Sequence, residues 1–237
     1  HGGYLHIWSA DERGAGATSE EQTRDILKRY TATLNEEGCT LTDDCIRTWF
    51  YVQDVDNNYA GLVRARREFF EECGLRRDTH YIASTGIEGR NGAVGSVVTM
   101  DAYAVRGLRE GQIGYLYARD YLSPTADYGV TFERGTEVQY GDRRHLFISG
   151  TASIDSKGEV VHVGDVPCPA ERMITNIEAL LAEGAATIED VQMAIVYLRD
   201  MGDYEQVAQL LAERLPELPL VITLAPVCRP KWLIEME

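Results

Sequence analysis

Residues 145–165 read HLFISGTASIDSKGEVVHVGD. The apolar run Leu146-Phe147-Ile148 has the make-up of a buried strand, and it runs straight into Ser149-Gly150-Thr151-Ala152-Ser153. Small residues at a strand end let a backbone or a ligand approach closely, and their hydroxyls offer neutral hydrogen bonds. An ordinary strand-to-turn transition uses the same residues, so the stretch takes its meaning from its surroundings.

Downstream, the chain continues as helix AERMITNIEALLAEG, strand VQMAIVYLRDM, helix YEQVAQLLAERL and strand WLIEME. The first half has the same order: strand YLHIWSA, helix EEQTRDILKRYTATLNEEG, strand CIRTWFYVQDV, helix YAGLVRARREFFEECG and strand SVVTMDAYAV. The chain is thus a tandem repeat. Helical spacing puts Ile26, Leu27, Tyr30 and Leu34 on one face, and Met173, Ile174, Ile177, Leu180 and Leu181 on another. Tyr59, Leu62, Val63, Phe69 and Phe70 form the stripe of the second helix, and Tyr204, Val207, Leu210, Leu211 and Leu215 that of the fourth. Ser19 with Gln22 predicts a capping box, and Gly38 and Gly184 sit where a left-handed residue closes a helix. The expected fold class is α+β: two β-sheet units, each with two helices packed on one face. The first repeat occupies 1–106 and the second 142–237. The connector, 107–141, is too long and too rich in Tyr for a plain linker, and is expected to fold over the pair and lend groups to a pocket.

The formal charge is −15, from 38 acidic and 23 basic side chains. Such a field opposes a phosphate-backbone partner, so no nucleic acid is expected. No apolar run reaches the length of a membrane span and no signal pattern opens the sequence, so a cytoplasmic protein without a membrane partner is expected. The five cysteines are odd in number and lack CxxC spacing, consistent with reduced thiols. The five histidines show no paired-ligand spacing, so no metal and no cofactor are expected.

The terminal strand alternates Leu233-Ile234-Glu235-Met236-Glu237, placing Glu235 and Glu237 on one face, about 7 Å apart. They read either as a solvated sheet face or as carboxylates beside a pocket, where desolvation raises a pKa toward that of a general acid. Just upstream, Ala225-Pro226-Val227-Cys228-Arg229-Pro230 brings a thiol and a guanidinium to the same strand. Arg229 suits a bidentate grip on a carboxylate, although a surface ion pair would use it equally. Cys228 has no histidine near it in sequence and reads as a pocket wall. Aligning Met100-Asp101 with Met236-Glu237 sets Thr99 against Glu235, which predicts one working site per chain, built around the second repeat.

FISGTASID, GDV, LLAEGA, VYLRDMGDY and IEME together resemble the RidA/YjgF superfamily over nearly the whole second half. The resemblance implies a chorismate-mutase-like α+β fold, small-molecule sites at subunit clefts and assembly as a homotrimer. The founding members deaminate enamines and imines, holding the substrate carboxylate with an arginine on the strand before the last; residues 217–221 here contain none. A closer resemblance, to the chorismatases, rests on LFISGTASI, HVGDV, VCRPKWLIEME, RTWFYVQDVDNNYAGLVRARREFF and the IASTGIEG loop, in the same order over both repeats. It implies a hydrolase that releases pyruvate from an enol ether of a small carboxylic acid. Glu235 would be the general acid, with Glu237 as the alternative. Arg229 or Arg134 would hold a carboxylate, and Ser149, Gly150, Thr151 and Ala152 would form the pocket floor beside Tyr128 and Cys228. RidA-like deamination, or metabolite binding without turnover, are the rival readings.

Overall fold

The computed structural model describes residues 2–90, 92–161 and 166–237; the HVGD part of the opening stretch, 162–165, lies outside them. The first half contains β1 (Leu5–Arg13), α1 (Ser19–Glu36), β2 (Cys45–Val52), α2 (Val55–Glu72), β3 (Ala83–Glu88) and β4 (Val98–Arg106). The connector supplies β5 (Ile113–Leu116) and β6 (Gly135–Gln139). The second half contains β7 (Arg144–Ile148), β8 (Thr151–Ala152), α3 (Pro167–Glu183), β9 (Ala194–Leu198), α4 (Tyr204–Arg214), β10 (Leu220–Leu224) and β11 (Ile234–Met236).

Both halves build the same sheet. The strand order is β1-β4-β2-β3 in the first and β8-β11-β9-β10 in the second. In each, one parallel pair, β2 with β3 and β9 with β10, is joined by a crossover helix, as parallel strands require. The remaining neighbours are antiparallel. Register fixes the equivalence residue by residue: Tyr51 lies opposite Thr99 in the first unit and Tyr197 opposite Glu235 in the second. Thr99 and Glu235 therefore hold the same place, as the sequence alignment predicts.

Helices cover one face of each sheet. Ile26, Leu27, Tyr30 and Leu34 of α1 and Leu62, Phe69 and Phe70 of α2 pack on Phe50, Val52, Met100, Ala102 and Ala104. In the second unit Met173, Ile174, Val207 and Leu211 pack on Val196, Leu198, Ile234 and Met236. The strands of the connector pair with β7 into a third sheet, β5-β6-β7, which covers part of the first sheet's helix-free face through Tyr103, Val105, Val138 and Tyr140. Strand β7 then passes through Ser149-Gly150 into β8, so the opening stretch is where the chain leaves one sheet for another.

Several local expectations are corrected. The first capping box is one residue earlier: the Thr18 hydroxyl accepts from the Glu21 amide (3.2 Å) and the Glu21 carboxylate from the Thr18 amide (3.1 Å). Gln22 is instead buried, its side chain donating to Gly95 O (2.7 Å) and accepting from Val97 N (2.9 Å). Gly38 is left-handed (φ 71°), but Gly184 is not; the left-handed residue there is Ala185 (φ 51°). Gly184 serves close packing, since a side chain on it would collide with Leu146. Leu146, Phe147 and Ile148 are half-buried, because β7 lies in the third sheet. The IASTGIEG loop contains strand β3, whose small polar residues extend because β2 pairs with them. Among the described residues no helix is long and apolar enough to cross a membrane, and all five cysteines are free thiols.

Candidate functional site

The two carboxylates of the terminal strand share a face but meet different surroundings. Glu237 is held from both units. It is ion-paired with the buried Arg47 of β2, accepts from Trp49 Nε1 (3.0 Å) and Tyr197 OH (2.7 Å), and is bonded to the Thr85 hydroxyl. Both of its oxygens are thus engaged by fixed donors from the two units.

Glu235 is 3% exposed and has no ion pair among the described residues. Burial, reinforced by the neighbouring Glu237 charge, pushes its carboxyl up to about 8, against the opposing pull of Arg47 and Arg134. Such a group holds a proton at neutral pH and can release it. A side chain on Gly150 would overlap the Glu235 carboxylate, so the glycine in the opening stretch is what allows that carboxylate to lie where it does.

Around Glu235 lies a narrow cavity, of about 20 Å³, lined from both units and the connector. The first unit contributes Tyr59 and Arg66 from α2 and Ser84 and Gly86 from β3. Tyr128, Val130 and Phe132 come from the connector, and Gly150, Cys228, Arg229, Trp232 and Glu235 from the second unit. Burial pushes the Cys228 thiol up to about 12, which leaves it protonated and unsuited to nucleophilic attack.

Arg66 is the least expected wall. It is 1% exposed and pairs with no carboxylate among the described residues; its Nη1 donates to Ser84 Oγ (3.3 Å), while Nε and Nη2 have no partner. A buried, unpaired guanidinium costs several kcal/mol, a cost that a bound anion would offset. Its signal was present in sequence: Arg66 lies four residues after Leu62 and three before Phe69, so a charge sits in the middle of an apolar helical stripe.

Of the residues singled out from sequence, the cavity brings together Glu235, Gly150, Cys228, Arg229 and Tyr128. Arg229 stacks on Tyr128 and Trp232 and donates to Tyr128 O (3.3 Å). Arg134 stands behind the wall, beside the Tyr128 and Phe132 rings, with Nη2 donating to Ser123 O (2.9 Å). Ser149, Thr151 and Ala152 do not line the cavity: Ser149 Oγ accepts from Ser84 N (2.9 Å) and pins the two units together, and Thr151 Oγ1 donates to Ser149 O (2.8 Å). Tyr59, Arg66, Ser84, Gly86 and Trp232 are additions from the structure. Among the described residues no group of three or more His, Cys, Asp or Glu is placed to hold a metal ion.

The endoribonuclease L-PSP family model matches residues 137–237, which is the second unit with the last of the connector. Among curated proteins, the 3-aminoacrylate deaminase RutC of Acinetobacter baylyi is 32% identical over 72 residues, 30% of this chain and 57% of that protein. A RutC family protein of Pyrococcus abyssi is 37% identical over 95 residues, 39% of this chain and 74% of that protein. The chain thus spans little more than half the length of the first of these relatives. Among solved structures, a chorismatase superposes on 100% of this chain and 74% of its own, with a TM-score of 0.81 and 23% identity, a likeness of fold.

Proposed function

The chain is a two-unit member of the RutC, or endoribonuclease L-PSP, family, and on that premise we propose that it is a cofactor-free hydrolase of a small carboxylic acid, cleaving an enol ether to release pyruvate in the manner of a chorismatase. One observation carries this reading: a carboxyl that holds its proton at neutral pH and a buried arginine with two unpaired N–H groups line the same cavity. Glu235 gives its proton to the terminal CH₂ carbon of the enolpyruvyl group, leaving an oxocarbenium ion conjugated to the carboxylate that Arg66 holds. Water adds to the oxocarbenium carbon, the one that bears the ether oxygen, and surrenders a proton to the Glu235 carboxylate. The hemiketal then collapses to an alcohol and pyruvate, so ether and water balance the products. Glu237 acts through its charge, raising the Glu235 pKa and tying the strand to Arg47. Cys228, Tyr128, Trp232 and Phe132 exclude bulk water, and Arg229 braces Tyr128 at the mouth.

A second reading, enamine deamination, is favoured by the 32% identity to a 3-aminoacrylate deaminase. Enamines and enol ethers share the first step, protonation of an electron-rich carbon beside a carboxylate, and the same two residues would serve. Assembly as a homotrimer belongs to the proposal too. The groove between the units is walled by Trp49, Tyr51, Phe147 and Ile195 and flanked by Trp8 and Met193, which are 65% and 66% exposed.

The deciding experiment incubates the protein with chorismate and measures pyruvate by a coupled dehydrogenase, with Glu235→Gln as control. Pyruvate formation that disappears in the variant supports the hydrolase. Ammonia release from 3-aminoacrylate without pyruvate from chorismate would transfer the site to deamination. Thermal stabilisation by chorismate with neither product would make this a binding protein.

A further inference from the structure

A second cavity, of about 120 Å³, opens on the far side of the connector wall. Its lining includes Arg77, Arg119, Arg134, Glu133, Ser123 and Tyr81. Phe132 separates it from the first cavity: the Arg134 guanidinium lies 5.5 Å from that ring's centroid and the Arg66 guanidinium 5.9 Å.

The charges are unevenly matched. Arg134 is 3% exposed with its Nε unpartnered, and the Ser123 hydroxyl is likewise buried without a partner. Arg119 stacks on Tyr117 and has no ion pair among the described residues. Arg77 pairs with Asp127 at 2.8 Å, and Glu133, which accepts from the Tyr81 amide (2.8 Å), is the one carboxylate in the lining. The cavity therefore keeps a positive excess inside a protein of net charge −15. A concave positive patch on an acidic surface focuses small anions, and a buried guanidinium with a free N–H next to a free hydroxyl supplies two donors to meet them.

We propose that this outer cavity is a second binding site, for the oxyanion of a small carboxylate or phosphate, held by Arg134 and Ser123 at its floor and by Arg119 at its mouth. Occupation would neutralise a guanidinium whose field reaches Glu235 through the partition, which couples the two cavities without a shared ligand. The site does not depend on turnover, so failure of the hydrolase reading leaves it standing.

The test is calorimetric titration of the full chain with pyruvate and, separately, with inorganic phosphate. It is run on Arg66→Gln, which silences the inner anchor, and on Arg66→Gln combined with Arg119→Gln or Arg119→Lys. The single variant is expected to bind at least one anion at one site per chain. Adding Arg119→Gln should weaken that binding roughly tenfold or more, and Arg119→Lys should recover part of it. Binding of pyruvate alone assigns a carboxylate, and of phosphate alone a phosphate. Absence of binding by either anion at millimolar concentrations in Arg66→Gln, or binding that Arg119→Gln leaves unchanged, overturns the proposal.

Discussion

The two units offer the same backbone position to two different fates. Thr99 and Glu235 each sit on the last strand of their sheet, each opposite a tyrosine of the neighbouring strand. Around Glu235 the cavity is closed by α2 and β3 of the first unit and by the connector. Around Thr99 the corresponding hollow is open and polar, lined by Asp11, Arg13, Arg90 and Asp101, with Gly89 and Gly92 in the turn where the second unit has Ala225 and Cys228. Thr99 is itself buried, but the hollow beside it lacks the apolar and aromatic walls that enclose Glu235. Closure, rather than the strand itself, raises the Glu235 pKa, and part of the closing wall comes from the other unit.

The largest expected effect tests that contrast directly. Glu235→Gln should lower turnover on a confirmed substrate by about 10²–10⁴-fold at unchanged folding, whereas Thr99→Ala should leave the rate within about twofold. Steady-state kinetics on both variants decides it, and equal losses in the two would abolish the distinction between the units. Gly150→Ala should come next, because its methyl displaces the Glu235 carboxylate; a misplacement of about 1 Å costs on the order of 10²-fold. A Gly150→Ala enzyme with full activity would mean that the carboxylate works from another position.

Arg66 separates binding from stability. Arg66→Met should raise the KM, or the Kd of a carboxylate inhibitor, by roughly 10–150-fold, the worth of a charge-assisted hydrogen bond. Removing a buried unpaired charge should leave the melting temperature unchanged or higher. A large fall in melting temperature would identify Arg66 as a structural residue instead.

The smallest effect is a slope. Because the folded-state pKa of Glu235 is raised to about 8 from 4.5, the folded chain binds the extra proton between those values. Its contribution to stability is complete below pH 4.5 and is lost as pH rises through 8, at no more than about 1.4 kcal/mol per pH unit. Denaturant titrations of the wild type minus Glu235→Gln should show this slope. General-acid activity should hold up to about pH 8 and fall above it, where the stability curve has levelled off. A difference curve that is flat from pH 5 to 8 would mean that Glu235 ionises normally.

Much of this was legible in the chain. The paired periodicities predicted the two units, and the alignment of Met100-Asp101 with Met236-Glu237 predicted the register that pairs Thr99 with Glu235. Glu235 and Glu237 could be placed on one face from alternation alone. Their different roles could not, because the difference is made by Arg47, Trp49 and Thr85, remote in sequence and brought in by sheet packing. Strand β3 was hidden because Ser84, Thr85 and Gly86 were chosen for the cavity and the unit interface rather than for strand propensity. Arg66 carried a readable signal, a charge inside an apolar stripe, but pairing it with Glu235 required the tertiary structure.

The connector has a consequence for how the site meets dilution. Arg66 and Tyr59 belong to the same polypeptide as Glu235. A wall borrowed from a separate subunit departs when that subunit dissociates, whereas a tethered one is presented at an effective concentration of roughly millimolar however few molecules are present. Joining two units in one chain puts a tether in place of an encounter, and the first unit completes the pocket while carrying Thr99 where the second carries Glu235.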